Sequence, residues 1–382
     1  MAQTTILQSH LKFRESLQGQ PVYLPNLYSL LPEWKVRIHP QYRRAREEVL
    51  NPWIEWLLQK AEFGIFAAIM CADTSFEKMC TVAKSFAWAC TACLFTCERR
   101  LTILIVLYLG RQYDCCVFLM RVFDCGLLTH DMEAIKSYRA TTVEYFKHVL
   151  CADGKFPDLS GYPEELQNAL HCWDEVAEHI CEQMIFYVAS VDTVDAICSG
   201  DTIPSLMQYW RRRERTAGVY PVMATIPYVI LDYPCIFVGL IIGSFIYGYD
   251  ISKADLATDL MTLLWRHTSY LVHIQNDMFS LRKEIRDNQI ENLVTVVMLN
   301  EGLDCNQAMQ LSFCLAQEIA RSFHEVEDNV RCTTTGRSRT VSSIFNEGCK
   351  NIAMGLTFWS YSGQRYFENS EVGVGNEIWF QL

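Results

Sequence analysis

From Glu47 to Met79, the apolar residues Leu50, Trp53, Ile54, Leu57, Leu58, Ala61 and Ile65 recur at steps of three and four, the spacing of one helix face. The same period returns through 134–152, 163–191, 255–284, 288–300 and 305–328, while period-two alternation bounded by turns is scarce. Stripes of this kind must be buried against other stripes. The expected fold class is therefore all-α, a helical bundle with one common core. Residues 1–40 differ, because Pro21, Pro25, Pro32 and Pro40 break any long helix. The chain thus divides into a peripheral segment, 1–40, and a single α-helical domain, 41–382, whose last dozen or so residues are also expected to be peripheral.

Composition excludes several classes. With 50% hydrophobic residues and only 11 Pro and 18 Gly in 382, the chain is neither fibrous nor mainly disordered. Its formal charge of −11 argues against a nucleic-acid partner, since phosphate contact needs a basic surface. Met1–Gln20 has no basic stretch leading into an apolar run, so no export signal is read and a cytoplasmic location is expected. There the 17 cysteines stay reduced and act mostly as small core residues. Cys90 and Cys93 form a CxxC, but the adjacent Cys115 and Cys116 are a poor second pair for zinc. The nine histidines show no ligand spacing. Two apolar runs, Leu101–Gly110 and Tyr233–Tyr249, fall short of the roughly 20 residues a membrane helix needs, so no membrane partner is expected.

The chemistry-bearing pattern is Asn276-Asp277-Met278-Phe279-Ser280-Leu281-Arg282-Lys283-Glu284. Asn276, Ser280 and Glu284 stand at i, i+4 and i+8, which on a helix drift only about 80° over about 12 Å. An amide oxygen, a hydroxyl and a carboxylate form an oxygen-only set suited to Mg²⁺, the remaining ligands coming from phosphate and water. Lys283 adds a cation beside Glu284. On spacing alone a solvated polar helix face is the reading that wins.

This segment resembles the second metal-binding motif, the NSE triad, of class I terpene cyclases of the fungal and bacterial sesquiterpene synthase type. Three further segments resemble the family in the same order. Phe123-Asp124 and the residues to Asp131 are similar to the end of the aspartate-rich DDxxD motif. Arg213-Glu214-Arg215-Thr216-Ala217-Gly218 is similar to the arginine-rich diphosphate-sensing segment, and Trp359 to Arg365-Tyr366 to the C-terminal W(x5)RY signature.

The sequence also departs from the family. Aligned on Asp124, the first two DDxxD positions are Met120 and Arg121. A thioether is a poor Mg²⁺ ligand, and a guanidinium repels the ion. Phe123 follows Trp88 by 35 positions and Asn276 follows Gly218 by 58, both longer than the family's spacing. The surpluses, about 93–120 and 228–245, read as translated introns or misplaced splice boundaries, or else as genuine diverged insertions. Glu214 replaces the second arginine of the sensor, which puts the sensing role on Arg213, with Arg215 as the alternative.

The resemblance implies a class I terpenoid synthase bundle around a central apolar pocket, holding Mg²⁺, as three ions. It implies a linear prenyl diphosphate substrate, farnesyl diphosphate first, ionised and cyclised to a sesquiterpene with release of diphosphate. Asp124, Asn276, Ser280 and Glu284 would bind metal. Arg213, Lys283, Arg365 and Tyr366 would bind diphosphate. By their own chemistry the rings of Phe86, Trp88, Phe123, Phe358 and Trp359 suit a cavity wall, and each taken singly suits core packing better. A monomer or homodimer is expected. The alternative is an inactive remnant of the same fold, its DDxxD motif lost; a membrane or thiol–metal protein is a second rival.

Overall fold

The computed structural model describes residues 12–50, 62–76, 79–80, 204–224, 226, 253–286 and 291–382, with isolated helical positions between 140 and 190. The proposed metal ligand Asp124, Phe86, Trp88, Phe123, the CxxC and both surplus stretches lie outside the described residues.

The described elements are helical apart from two short strands. In chain order they include β1 (Pro21–Leu24), α1 (Phe63–Met70), α2 (Leu206–Thr216), α3 (Val219–Ala224), α4 (Asp259–Arg286), α5 (Leu293–Glu301), α6 (Cys305–Thr333), α7 (Gly336–Ser362) and β2 (Ile378–Gln381). Helix α4 is central. Leu264, Leu271, Ile274, Met278 and Leu281 are all buried, and so are Thr268, Ser269, Gln275, Asp277, Ser280 and Glu284. Buried polar groups must find partners inside the protein. Gln275 meets this by accepting from the Thr357 hydroxyl of α7.

Helix α6 presents the stripe Ala308, Met309, Phe313, Ala316, Ala320 and Phe323 to the core. Its start is fixed by a capping box, in which Asp304 accepts from Gln307 N–H while the Gln307 side chain accepts from Asp304 N–H. Helix α7 is a 27-residue element that the apolar spacing did not single out. It passes so close to α1 that a Cβ built on Gly355 would lie 2.8 Å from the Phe66 ring.

The strands were not visible as alternation either. β1 and β2 pair antiparallel, with Val22 opposite Phe380 and Leu24 opposite Ile378. All four of these side chains are buried, and Tyr23 packs on Trp379 across the other face. Asn306 of α6 secures β1 by accepting from Tyr23 N–H and donating to the Pro21 carbonyl.

Five of the seven described cysteines are buried and all seven are free thiols, in keeping with cysteine as core filler. No helix among the described residues is long and apolar enough to cross a membrane.

Candidate active site

Three separate parts of the chain meet at Asn276 on α4. Its Oδ1 accepts from Arg213 Nη2 of α2 at 3.2 Å, and its Nδ2 donates to the Tyr366 hydroxyl at 3.1 Å, beyond the end of α7. One turn further along α4, Ser280 Oγ donates to Glu284 Oε1 at 2.8 Å. Both residues are buried, at 3% and 9% exposure.

Asp277 is the hub behind this face, and it is completely buried. Its Oδ1 accepts from Arg213 at 2.6 Å; its Oδ2 accepts from the Tyr209 hydroxyl at 2.5 Å and from Leu293 N–H at 2.7 Å. Burial, reinforced by the negative charge of Asp277, pushes the Tyr209 phenol well above its usual range, so it stays a donor. Burial works against the Arg213 charge, but the Asp277 carboxylate prevails and holds it protonated. The buried Nε–H of Arg213 has no acceptor among the described residues. Glu284 is pushed up to about 7 by burial first and by Asp277 second, against the opposing influence of Arg213, Asn292 and Ser280.

The other members of the arginine run are engaged elsewhere. Arg212 pairs with Glu291, and Arg215 stacks on the Tyr220 ring at 4.7 Å. Arg213 alone of these two sensor candidates faces Asp277. Glu214, which stands where the motif would carry its second arginine, accepts from the hydroxyls of Tyr220 at 2.5 Å and Tyr270 at 3.0 Å. The Tyr220 bond spans the break between α2 and α3, where Gly218 has φ +70, a conformation that glycine adopts without strain, and the Tyr270 bond ties α2 to α4.

Arg365 lies with its guanidinium 5.6 Å from the Tyr366 ring centre and 5.9 Å from that of Trp359. Trp359 is buried, and Phe358 beside it is half-buried. Lys283 is half-buried on α4, seven residues after Asn276 and so within about 20° of the same face. Arg282, which sequence reasoning passed over, fixes the segment after α7. It donates to both carboxylate oxygens of Glu371, at 2.6 and 3.0 Å, and to the Tyr366 carbonyl at 2.7 Å.

Reasoning from spacing also passed over Asp277, Tyr209 and Asn292. Asp277 adjoins Asn276, and Asn292 precedes the apolar run Leu293–Met298 as a helix cap would; both were readable signals. Tyr209 had none, because it lies 68 positions from its partner.

The donor set suits a hard divalent cation. Ser280 and Glu284 bring a hydroxyl and a carboxylate oxygen together, and Asn276 adds an amide oxygen on the same face. No group of three His, Cys, Asp or Glu that could hold a metal exists among the described residues. A separate cleft of about 340 Å³, bordered by Arg37, Met70, Ile226, Ile344 and Ile352, is lined by none of the candidate residues.

The known proteins most informative for this arrangement agree with one another. The family description "Terpene synthase family 2, C-terminal metal binding" matches residues 165–321, which contain Arg213, Asn276, Ser280 and Glu284. Terpene cyclase braA of Annulohypoxylon truncatum is 20% identical over 95% of this chain and 91% of its own length. Sesquiterpene cyclase hepA of Aspergillus oryzae is 24% identical over 96% and 94%. The crystal structure of linalool/nerolidol synthase from Streptomyces clavuligerus shares the fold, with a TM-score of 0.57 at 14% identity over 86% of this chain and 98% of that one. Residues 165–321 thus match the metal-binding region of terpene synthases, the chain is similar along most of its length to fungal terpene cyclases, and it shares the all-α fold of a bacterial terpene synthase.

Proposed function

We propose that the chain is a Mg²⁺-dependent cyclase that ionises a linear prenyl diphosphate, farnesyl diphosphate first, and closes the carbocation to a sesquiterpene. The observation that carries this reading is the convergence of Arg213 and Tyr366 on Asn276, on the helix face that also holds the Ser280–Glu284 pair. The fungal relatives that are sesquiterpene cyclases and synthases support the sesquiterpene assignment.

Asn276, Ser280 and Glu284 are the proposed ligands from α4, with Asp124 of the aspartate-rich segment as a further ligand and three ions in all. Bound Mg²⁺ supplies Lewis-acid neutralisation of the diphosphate leaving group. The chain's own groups do the rest. Arg213 and Tyr366 hold diphosphate oxygens by charge-assisted hydrogen bonds, with Lys283 and Arg365 adding positive charge. The allylic C–O bond breaks heterolytically, its electron pair leaving with diphosphate, so no side-chain nucleophile is required. Rings such as Trp359 and Phe358 then stabilise the cation by roughly 0.5–2 kcal/mol each. Loss of a proton or capture of water ends the sequence.

Incubation with farnesyl diphosphate and Mg²⁺, with volatile analysis and a diphosphate assay, tests the proposal. Hydrocarbon plus diphosphate, both abolished by chelation, is the expected result. Diphosphate without hydrocarbon would mean that ionisation survives and cyclisation does not. Neither product would support the remnant reading, in which Met120 and Arg121 have removed one side of the metal site. Sequencing the spliced transcript decides whether 93–120 and 228–245 belong to the protein that is made.

A further inference from the structure

Eight residues beyond Glu284, at the first turn of the next helix, Asn292 is wholly buried with every polar atom of its side chain engaged. Its Nδ2 donates to Glu284 Oε2 at 2.9 Å and to the Asp277 carbonyl at 2.7 Å. Its Oδ1 accepts from Val294 N–H at 2.9 Å, which caps α5. The orientation of the amide is therefore determined: Val294 N–H requires an acceptor, which turns the NH₂ group to the two oxygens on the other side.

We propose that Asn292 is a positioning residue for the metal ligand Glu284, a role that rests on the metal assignment above. A glutamate side chain has three rotatable bonds and by itself points in many directions. Here one carboxylate oxygen is held by the Ser280 hydroxyl and the other by the Asn292 amide, which fixes the plane of the carboxylate. Because the same NH₂ group grips the backbone of Asp277, the position of that plane is set relative to the turn of α4 that carries Asn276. Serine or aspartate would cap α5 as well as asparagine does. Neither supplies the two-donor amide, and aspartate would set a second anion against Glu284. The asparagine is thus explained by what it gives to α4, beyond its service to α5. Hydrogen-bonded neighbours of ligating carboxylates characteristically alter metal affinity about 10- to 100-fold.

The test is Mn²⁺ binding by paramagnetic resonance, on the full chain with inorganic diphosphate present, alongside thermal melting. Asn292→Ser and Asn292→Gly both remove the amide while leaving a residue acceptable at a helix N-cap. The expected result is Mn²⁺ affinity lowered roughly tenfold or more in both variants, with melting little changed. Wild-type affinity in a folded variant would overturn the inference and leave Asn292 a cap only. Failure of both variants to fold would overturn it too, assigning the amide to structure alone. Glu284→Gln is the control for the underlying reading: if it leaves Mn²⁺ affinity intact, the metal assignment fails whatever Asn292 does.

Discussion

Glu284 carries its carboxylate on the inner side of α4, where burial and the nearby Asp277 charge raise its proton affinity to about 7. A carboxylate ligand binds a cation only when deprotonated, so proton and metal compete for the same oxygens. Mn²⁺ affinity should accordingly weaken as pH falls through about 7, and Glu284→Gln should abolish that dependence; a titration at several pH values checks both. Asn276→Ala and Glu284→Gln should each lower turnover on the order of a hundredfold at moderate Mg²⁺. Unchanged rates at saturating Mg²⁺ would contradict the ligand assignment. At this scale the placement of Asn276, Ser280 and Glu284 on one helix was readable from their spacing. The sequence was unreadable for Tyr209, because a contact between residues 68 positions apart is made by packing and leaves no local trace.

Helix α7 went unrecognised for a related reason. Gly336, Gly348 and Gly355, with the Ser and Thr residues between them, weaken the local preference for helix. The helix is stabilised instead by burial of Phe345, Ile352, Leu356 and Trp359. Gly348 and Gly355 are the means of close approach, to Ile226 and Phe66. Gly355→Val should force the Phe66 ring away and cost about 1–3 kcal/mol by overpacking, a drop visible in chemical denaturation. Phe66→Leu in the same chain should recover part of it.

The bond from Arg282 to Glu371 ties α4 to the segment that carries Tyr366, and it lowers the Glu371 proton affinity below the ordinary carboxylate value. A depressed folded value means the contribution to stability is complete above the unfolded value of about 4.3 and fades as acid protonates the group. Melting temperatures followed downward from neutral pH should fall less steeply for Glu371→Gln than for the wild type.

Across the whole molecule, the helical bundle was legible and its closure was not. Residues 21–24 and 378–381 each hold only two inward side chains, too short a run for alternation to stand out. Together they bury Val22, Leu24, Ile378 and Phe380. Deleting 378–382 should remove about 1.5–3 kcal/mol for each of Ile378 and Phe380. A lower melting temperature together with increased dye binding to exposed apolar surface would register it.

That pairing also sets a timetable. During synthesis β1 leaves the ribosome some 350 residues ahead of its partner. Throughout that interval an apolar ribbon with open backbone groups waits without its mate, the kind of edge that recruits neighbouring chains. Slow translation or a premature stop ahead of Ile378 would therefore harm yield more than the small area of the sheet suggests.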